Sequence, residues 1–87
     1  MRVSYHRKFD KQYKRLKLSV QEKFKERRNI FLLDQFHPLL ANHPLNSPFA
    51  GSRSINITGD YRAIFKQISD DLIIFTDVGT HHELFGT

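Results

Sequence analysis

The sequence predicts an α+β fold with the order β-α-α-β-β-β, and three features predict it. Residues 7–36 carry a helical spacing of apolar side chains, and residues 52–78 carry strand-like runs. A stretch marked by proline and glycine, residues 37–51, separates the two halves. Two helices packed on one face of an antiparallel sheet bury both apolar surfaces with the fewest connections. The chain has 87 residues, the length of one domain, and the expected unit is 1–87. A chain this short buries only roughly 60–65% of the surface its unfolded form exposes, so its core is small.

Taken in order, Arg2 to His6 alternates weakly and reads as a short first strand. Phe9, Tyr13 and Leu16 are spaced i, i+4, i+7 among Lys and Arg, one face of a short amphipathic helix. Ser19 and Glu22 have the spacing of a capping box, which starts a second helix near Val20. Val20, Phe24, Arg27 and Phe31 share a face of that helix, widened by Ile30 and Leu33. It should end at Asp34 to Phe36, because Pro38 cannot continue it. Strands then follow at Ser52–Ile57, Tyr61–Ile68 and Leu72–Val78, joined by turns at Thr58-Gly59-Asp60 and Ser69-Asp70-Asp71. Turns that short make the three strands antiparallel neighbours. The last is almost wholly apolar and so belongs in the interior of the sheet.

The net charge of +5 is unevenly placed. Residues 1–28 hold 11 Lys/Arg against 3 Asp/Glu, whereas residues 29–87 hold 3 against 6. An anionic partner for the first part of the chain fits, since each neutralised phosphate releases counterions. A solvated basic helix face explains the same pattern without a partner. There is no cysteine, which excludes disulfides and thiolate-held metal and fits a reducing cytoplasm. The longest apolar runs, 30–33 and 72–75, fall far short of the ~20 residues of a membrane span. No apolar run follows the basic N-terminal residues, so neither a signal peptide nor a membrane partner is expected.

No Gly-rich phosphate loop, zinc-protease helix or nucleophile elbow is present. Five histidines remain: His6, His37, His43, His81 and His82. None has the spacing of a zinc site, and no metal or cofactor is expected. His81 stands where the last strand ends, after Gly79, which permits an unusual backbone angle or a close approach. Asp77, four residues earlier, would share its face if the strand continued.

Three segments carry a family resemblance. They are His43-Pro44-Leu45 with Gly51-Ser52-Arg53-Ser54, the run Gly59-Asp60-Tyr61-Arg62-Ala63-Ile64-Phe65-Lys66, and the ending Gly79-Thr80-His81-His82-Glu83-Leu84-Phe85. Together they resemble the RelE/ParE superfamily of bacterial toxins, and most closely its YafQ-type branch. The resemblance implies a RelE-like fold and the toxin of a type II toxin–antitoxin system. The implied activity is a metal-independent endoribonuclease that cleaves mRNA at the ribosome. The implied partners are a cognate antitoxin, mRNA and the ribosome, with the basic N-terminal helices against rRNA. Residue by residue, it implies that His81, His43 and Asp60 are catalytic and that Arg62 and Arg53 contact phosphate. Phe85 matches an aromatic that holds the substrate base. Asn56 stands where the branch often has another histidine; it can hydrogen-bond substrate but cannot transfer protons at neutral pH. Asp77 stands where an arginine is common; a carboxylate there repels phosphate or orients His81.

These residue types suit the chemistry. Metal-free RNA cleavage needs a base for the 2′-hydroxyl proton and an acid for the leaving 5′-oxygen, and histidine can be either. A guanidinium stabilises the charge that builds on the phosphate. An aromatic face stacks an unpaired base, worth roughly 1–3 kcal/mol. His81 is assigned as the acid, and His43 or Asp60 as the base. Two other functions stay open: a toxin that inhibits DNA gyrase by binding, as the ParE branch does, and a non-catalytic RNA-binding relative.

Overall fold

Two-residue turns set the strand pairing. In the computed structural model, which describes residues 1–86, β3 (Arg53–Thr58), β4 (Tyr61–Ser69) and β5 (Leu72–Thr80) form an antiparallel meander. Gly59, at φ 41°, supplies the left-handed backbone of the first turn. Asp70-Asp71 makes the second, between paired Ser69 and Leu72. Both turns and all three strands lie where the sequence puts them.

Two further strands complete a five-stranded sheet of order β1-β5-β4-β3-β2. β2 is only His43–Pro44, antiparallel to β3. β1 (Arg2–Tyr5) runs parallel to β5, so the sheet is mixed rather than wholly antiparallel. No tight turn links β1 to β5. The chain returns to β5 only after passing through the helices, and a crossover of that kind permits a parallel pair.

The helices are α1 (Arg7–Lys14) and α2 (Leu18–Leu33), followed by a short 3-10 turn at Pro38–Leu40. α2 starts at Leu18, with Lys17 as its N-cap and no side-chain cap, so the Ser19–Glu22 capping box does not form. The first turn of α2 is instead docked on the end of α1. Gln21 Nε2 donates to the Tyr13 and Leu16 carbonyls at 2.9 and 3.3 Å, and the Tyr13 hydroxyl donates to the Gln21 carbonyl at 3.2 Å. Leu33, expected on the apolar face, is 91% exposed. It lies nine residues past Phe24, two and a half turns at 3.6 residues per turn, and therefore points the opposite way.

Both helices cover one face of the sheet. The pleat sends Ile55, Ala63 and Val78, and also Phe65 and Phe75, to that face, where all are buried. Phe75 and Val78 are three residues apart and would face opposite sides of a regular strand. A register shift in β5 pairs Phe75 with Phe65 and Asp77 with Ile64, skipping Thr76, and this bulge returns Val78 to the core side. The centre of the core is aromatic. The Phe75 ring lies 5.2–5.9 Å from those of Phe24, Phe9, Phe65 and Tyr5, and Phe31 stands edge-on to Phe65 at 5.0 Å.

The other face presents Ser54, Asn56, Arg62, Ile64 and Asp77. It lies under the loop 45–52, closed by hydrogen bonds from Leu45 N to Ser52 O and from Ser52 N to Phe49 O. A third helix, α3 (His81–Phe85), follows β5 directly and was not expected from the sequence.

Candidate active site

α3 is short, and its ends explain why it forms. Thr80 is the N-cap of a complete capping box. The Glu83 N–H donates to Thr80 Oγ1 at 3.1 Å, and the Thr80 N–H donates to Glu83 Oε1 at 2.8 Å. These bonds to Thr80, backbone first, hold the Glu83 carboxyl below the usual carboxylate range. Gly86, at φ 73°, ends the helix in the left-handed region. Gly79 lies at a close approach: a Cβ there would be 3.1 Å from Glu83 Oε1, and the Glu83 side chain would have to give by a few tenths of an ångström. The pattern Thr80-x-x-Glu83 followed by Gly86 is a legible helix signal that the strand reading of this segment passed over.

The cap fixes His81 as the first residue of α3, its N–H donating to the Asp60 carbonyl at 2.8 Å. Four residues on, Phe85 packs against the imidazole with ring centroids 4.8 Å apart. Phe85 in turn receives the edge of Phe49 from the covering loop at 5.8 Å.

His81 and Phe85 form one wall of a cleft of about 380 Å³ that also takes in His43, Ser54, Asn56 and Arg62. Strand pairing explains the company: His43 lies opposite Ser54, and Asn56 opposite Arg62. His43 Nδ1 is 2.7 Å from the Ala41 carbonyl. A carbonyl only accepts, so Nδ1 is the donor, and the neutral ring presents a Nε2 lone pair. The Arg62 guanidinium is braced by Nη1 donating to the Gly59 and Tyr61 carbonyls at 2.7 and 3.0 Å. Ser54 Oγ is fully buried and has no hydrogen-bond partner among the described residues. Sequence reasoning did not single out Ser54; only its strand position beside His43 marks it.

Two of the residues named from sequence lie elsewhere. Arg53 pairs in register with Phe65 and so faces the helix side. There its Nε donates to Asn42 Oδ1 at 2.7 Å, and its guanidinium lies 5.4 Å from the centre of the Phe36 ring. Asp60 is an exposed turn residue whose backbone carbonyl accepts from the His81 N–H. Asp77 is held by an ion pair from the first helix. β5 stops at Thr80, the chain turns into α3, and the Asp77 carboxylate meets Lys8 Nζ at 2.8 Å. Among the described residues, no group of three or more His, Asp or Glu side chains is placed to hold a metal ion.

A family model described as the bacterial toxin of type II toxin–antitoxin systems, YafQ, matches residues 1–86. The chain belongs to the YafQ toxin family. Solved structures agree with that family assignment. YafQ from Escherichia coli strain BL21(DE3) is 27% identical and superposes with a TM-score of 0.78, covering 98% of both chains. A YafQ chain from an E. coli DinJ–YafQ complex is 30% identical, with a TM-score of 0.73 and 98% of both chains covered. A RelB–RelE antitoxin–toxin complex from Methanococcus jannaschii shares the fold at 15% identity, with a TM-score of 0.72 over 95% of both chains. No curated protein matches the chain significantly. In this YafQ-family chain, the cleft therefore joins the histidine of the C-terminal motif, His81, to the one before Pro44, His43, across two strands.

Proposed function

We propose that this YafQ-family toxin is an endoribonuclease that cuts mRNA by acid–base catalysis, one histidine taking a proton from the substrate and another giving one to it. The observation that supports it is the shared cleft of His43, His81 and Arg62. His43, with its Nε2 lone pair presented, takes the proton from the 2′-hydroxyl as that oxygen attacks the phosphorus. His81 protonates the 5′-oxygen as the P–O5′ bond breaks. The Arg62 guanidinium, held by two backbone carbonyls, meets the charge that develops on the phosphate. Asn56 offers hydrogen bonds to the substrate. Phe85 stacks the base beside the scissile bond. In this scheme Asp60 acts by anchoring His81, and Arg53 stands outside the reacting centre.

The substrate is mRNA on the ribosome, in the cytoplasm, with the basic α1 and α2 surfaces against rRNA. A cognate antitoxin neutralises the toxin, in line with the antitoxin-bound state of the DinJ–YafQ relative. The test is expression of the wild type and His81→Ala in bacteria, with mRNA cut sites mapped by primer extension. Wild type should arrest growth and leave new 5′ ends, and His81→Ala should do neither. Growth arrest without new 5′ ends would instead favour a toxin that inhibits its target by binding.

A further inference from the structure

The sheet face that carries the cleft has a second concavity, of about 290 Å³, on the far side of the covering loop. His6, Lys8 and Lys66 line it, together with Phe49 and Asp77. Asp77 is only 5% exposed, and its charge is met by Lys8 at 2.8 Å. Lys66 is exposed and has no ion-pair partner among the described residues, so the concavity keeps a net positive charge. His6 adds a ring N–H donor. Its Nδ1 accepts from the Lys8 N–H at 3.1 Å as the N-cap of α1, which leaves the ring proton on Nε2. A cation and a ring N–H on one wall suit an anion with several acceptor oxygens. Phe49 joins the two concavities: it lines the second, and its ring edge meets Phe85 in the wall of the first.

We propose that the second concavity binds the phosphate of a flanking nucleotide of the same single-stranded RNA, with Lys66 and His6 Nε2 on the phosphate and Phe49 beside the intervening base. This rests on the nuclease reading of the first cleft and extends it to substrate length. A strand seated in both concavities gains a phosphate contact and a stacking surface that a shorter strand cannot reach. The Lys8–Asp77 pair keeps the buried carboxylate from repelling the strand. Removing Lys8 would leave that carboxylate uncompensated and confound any test with instability.

The experiment is therefore made at Lys66. Binding of uncleavable 2′-O-methyl oligonucleotides, a trimer and an octamer, is measured at several salt concentrations. The proteins are wild type, Lys66→Ala, Lys66→Arg and Arg2→Ala, the last removing the same charge from β1, outside both concavities and both basic helices. Lys66→Ala should weaken octamer binding about ten-fold and lower its salt slope by about one, with little change for the trimer. Lys66→Arg should restore the octamer, and Arg2→Ala should bind it within about two-fold of wild type, as one exposed charge outside the track contributes little. Equal effects of Lys66→Ala and Arg2→Ala, or equal losses for trimer and octamer, would overturn the proposal. RNA cleavage by wild type and His81→Ala is measured in parallel. Cleavage that depends on His81, with octamer binding indifferent to Lys66, rejects the subsite and leaves the nuclease reading standing. Failure of the wild type to bind the octamer rejects the subsite, whereas absence of new mRNA 5′ ends on translating ribosomes rejects the nuclease reading.

Discussion

On the helix side of the sheet, Ile55, Phe65, Phe75 and Val78 are wholly or almost wholly buried beneath two helices, and aromatic rings fill the centre. On the opposite side, the same strands present Ser54, Asn56, Arg62 and Asp77 beneath one loop and a five-residue helix. The helix side is held by apolar area, which is non-directional and tolerates small misplacement. The cleft side depends on hydrogen bonds at single atoms: the Thr80 cap, the Asp60 carbonyl on His81 and the Ala41 carbonyl on His43. One β-sheet thus separates the apolar core from the polar cleft by the alternation of its side chains.

Substitutions on the two faces should divide accordingly. Phe75→Ala should cost about 3–5 kcal/mol of stability, enough to unfold much of so small a protein, by urea denaturation. Its counterpart Phe85→Ala should stay folded and weaken RNA binding by about 1–3 kcal/mol in a titration. Arg62→Ala should leave the unfolding midpoint close to wild type while lowering single-turnover cleavage on the order of a hundred-fold. Retained cleavage would move the phosphate contact elsewhere. Thr80→Ala should cost about 1 kcal/mol through loss of the cap. It should also slow cleavage without altering the reacting groups, because His81 begins the helix that the cap holds.

The smallest effect is in pH. Glu83 has a folded pKa below its ordinary value, so its contribution is complete above the ordinary carboxylate range. That contribution is lost as pH falls through the depressed value. Glu83→Ala should remove that part of the acid dependence of stability, and an unchanged acid limb would reject the capping role.

What could be read from the sequence follows the same division. Apolar spacing in helices and alternation in strands directly record burial on the helix side, so α1, α2 and the β3–β5 meander were legible from Phe9 to Val78. Leu33 was misread because a widening face was carried past half a turn. The parallel β1–β5 pair has no local turn to announce it. On the cleft side, motif resemblance named His43, His81, Arg62, Asn56 and Phe85, which the structure gathers into one cleft. It could not say that the pleat turns Arg53 away or that Asp60 contributes its backbone. The β5 bulge and the start of α3 decide which way Asp77 and His81 face. The bulge has no sequence signature here, whereas α3 did have one in Thr80, Glu83 and Gly86.

The most direct measurement pairs cleavage of mRNA on translating ribosomes with unfolding stability, for wild type and His81→Ala from matched preparations. Cleavage should fall by about 10²–10⁴-fold. Stability should stay within roughly 1 kcal/mol, as expected of a site away from the helix-side core. A His81→Ala protein that still cuts mRNA at the wild-type rate would contradict the assignment of the chemistry to this cleft.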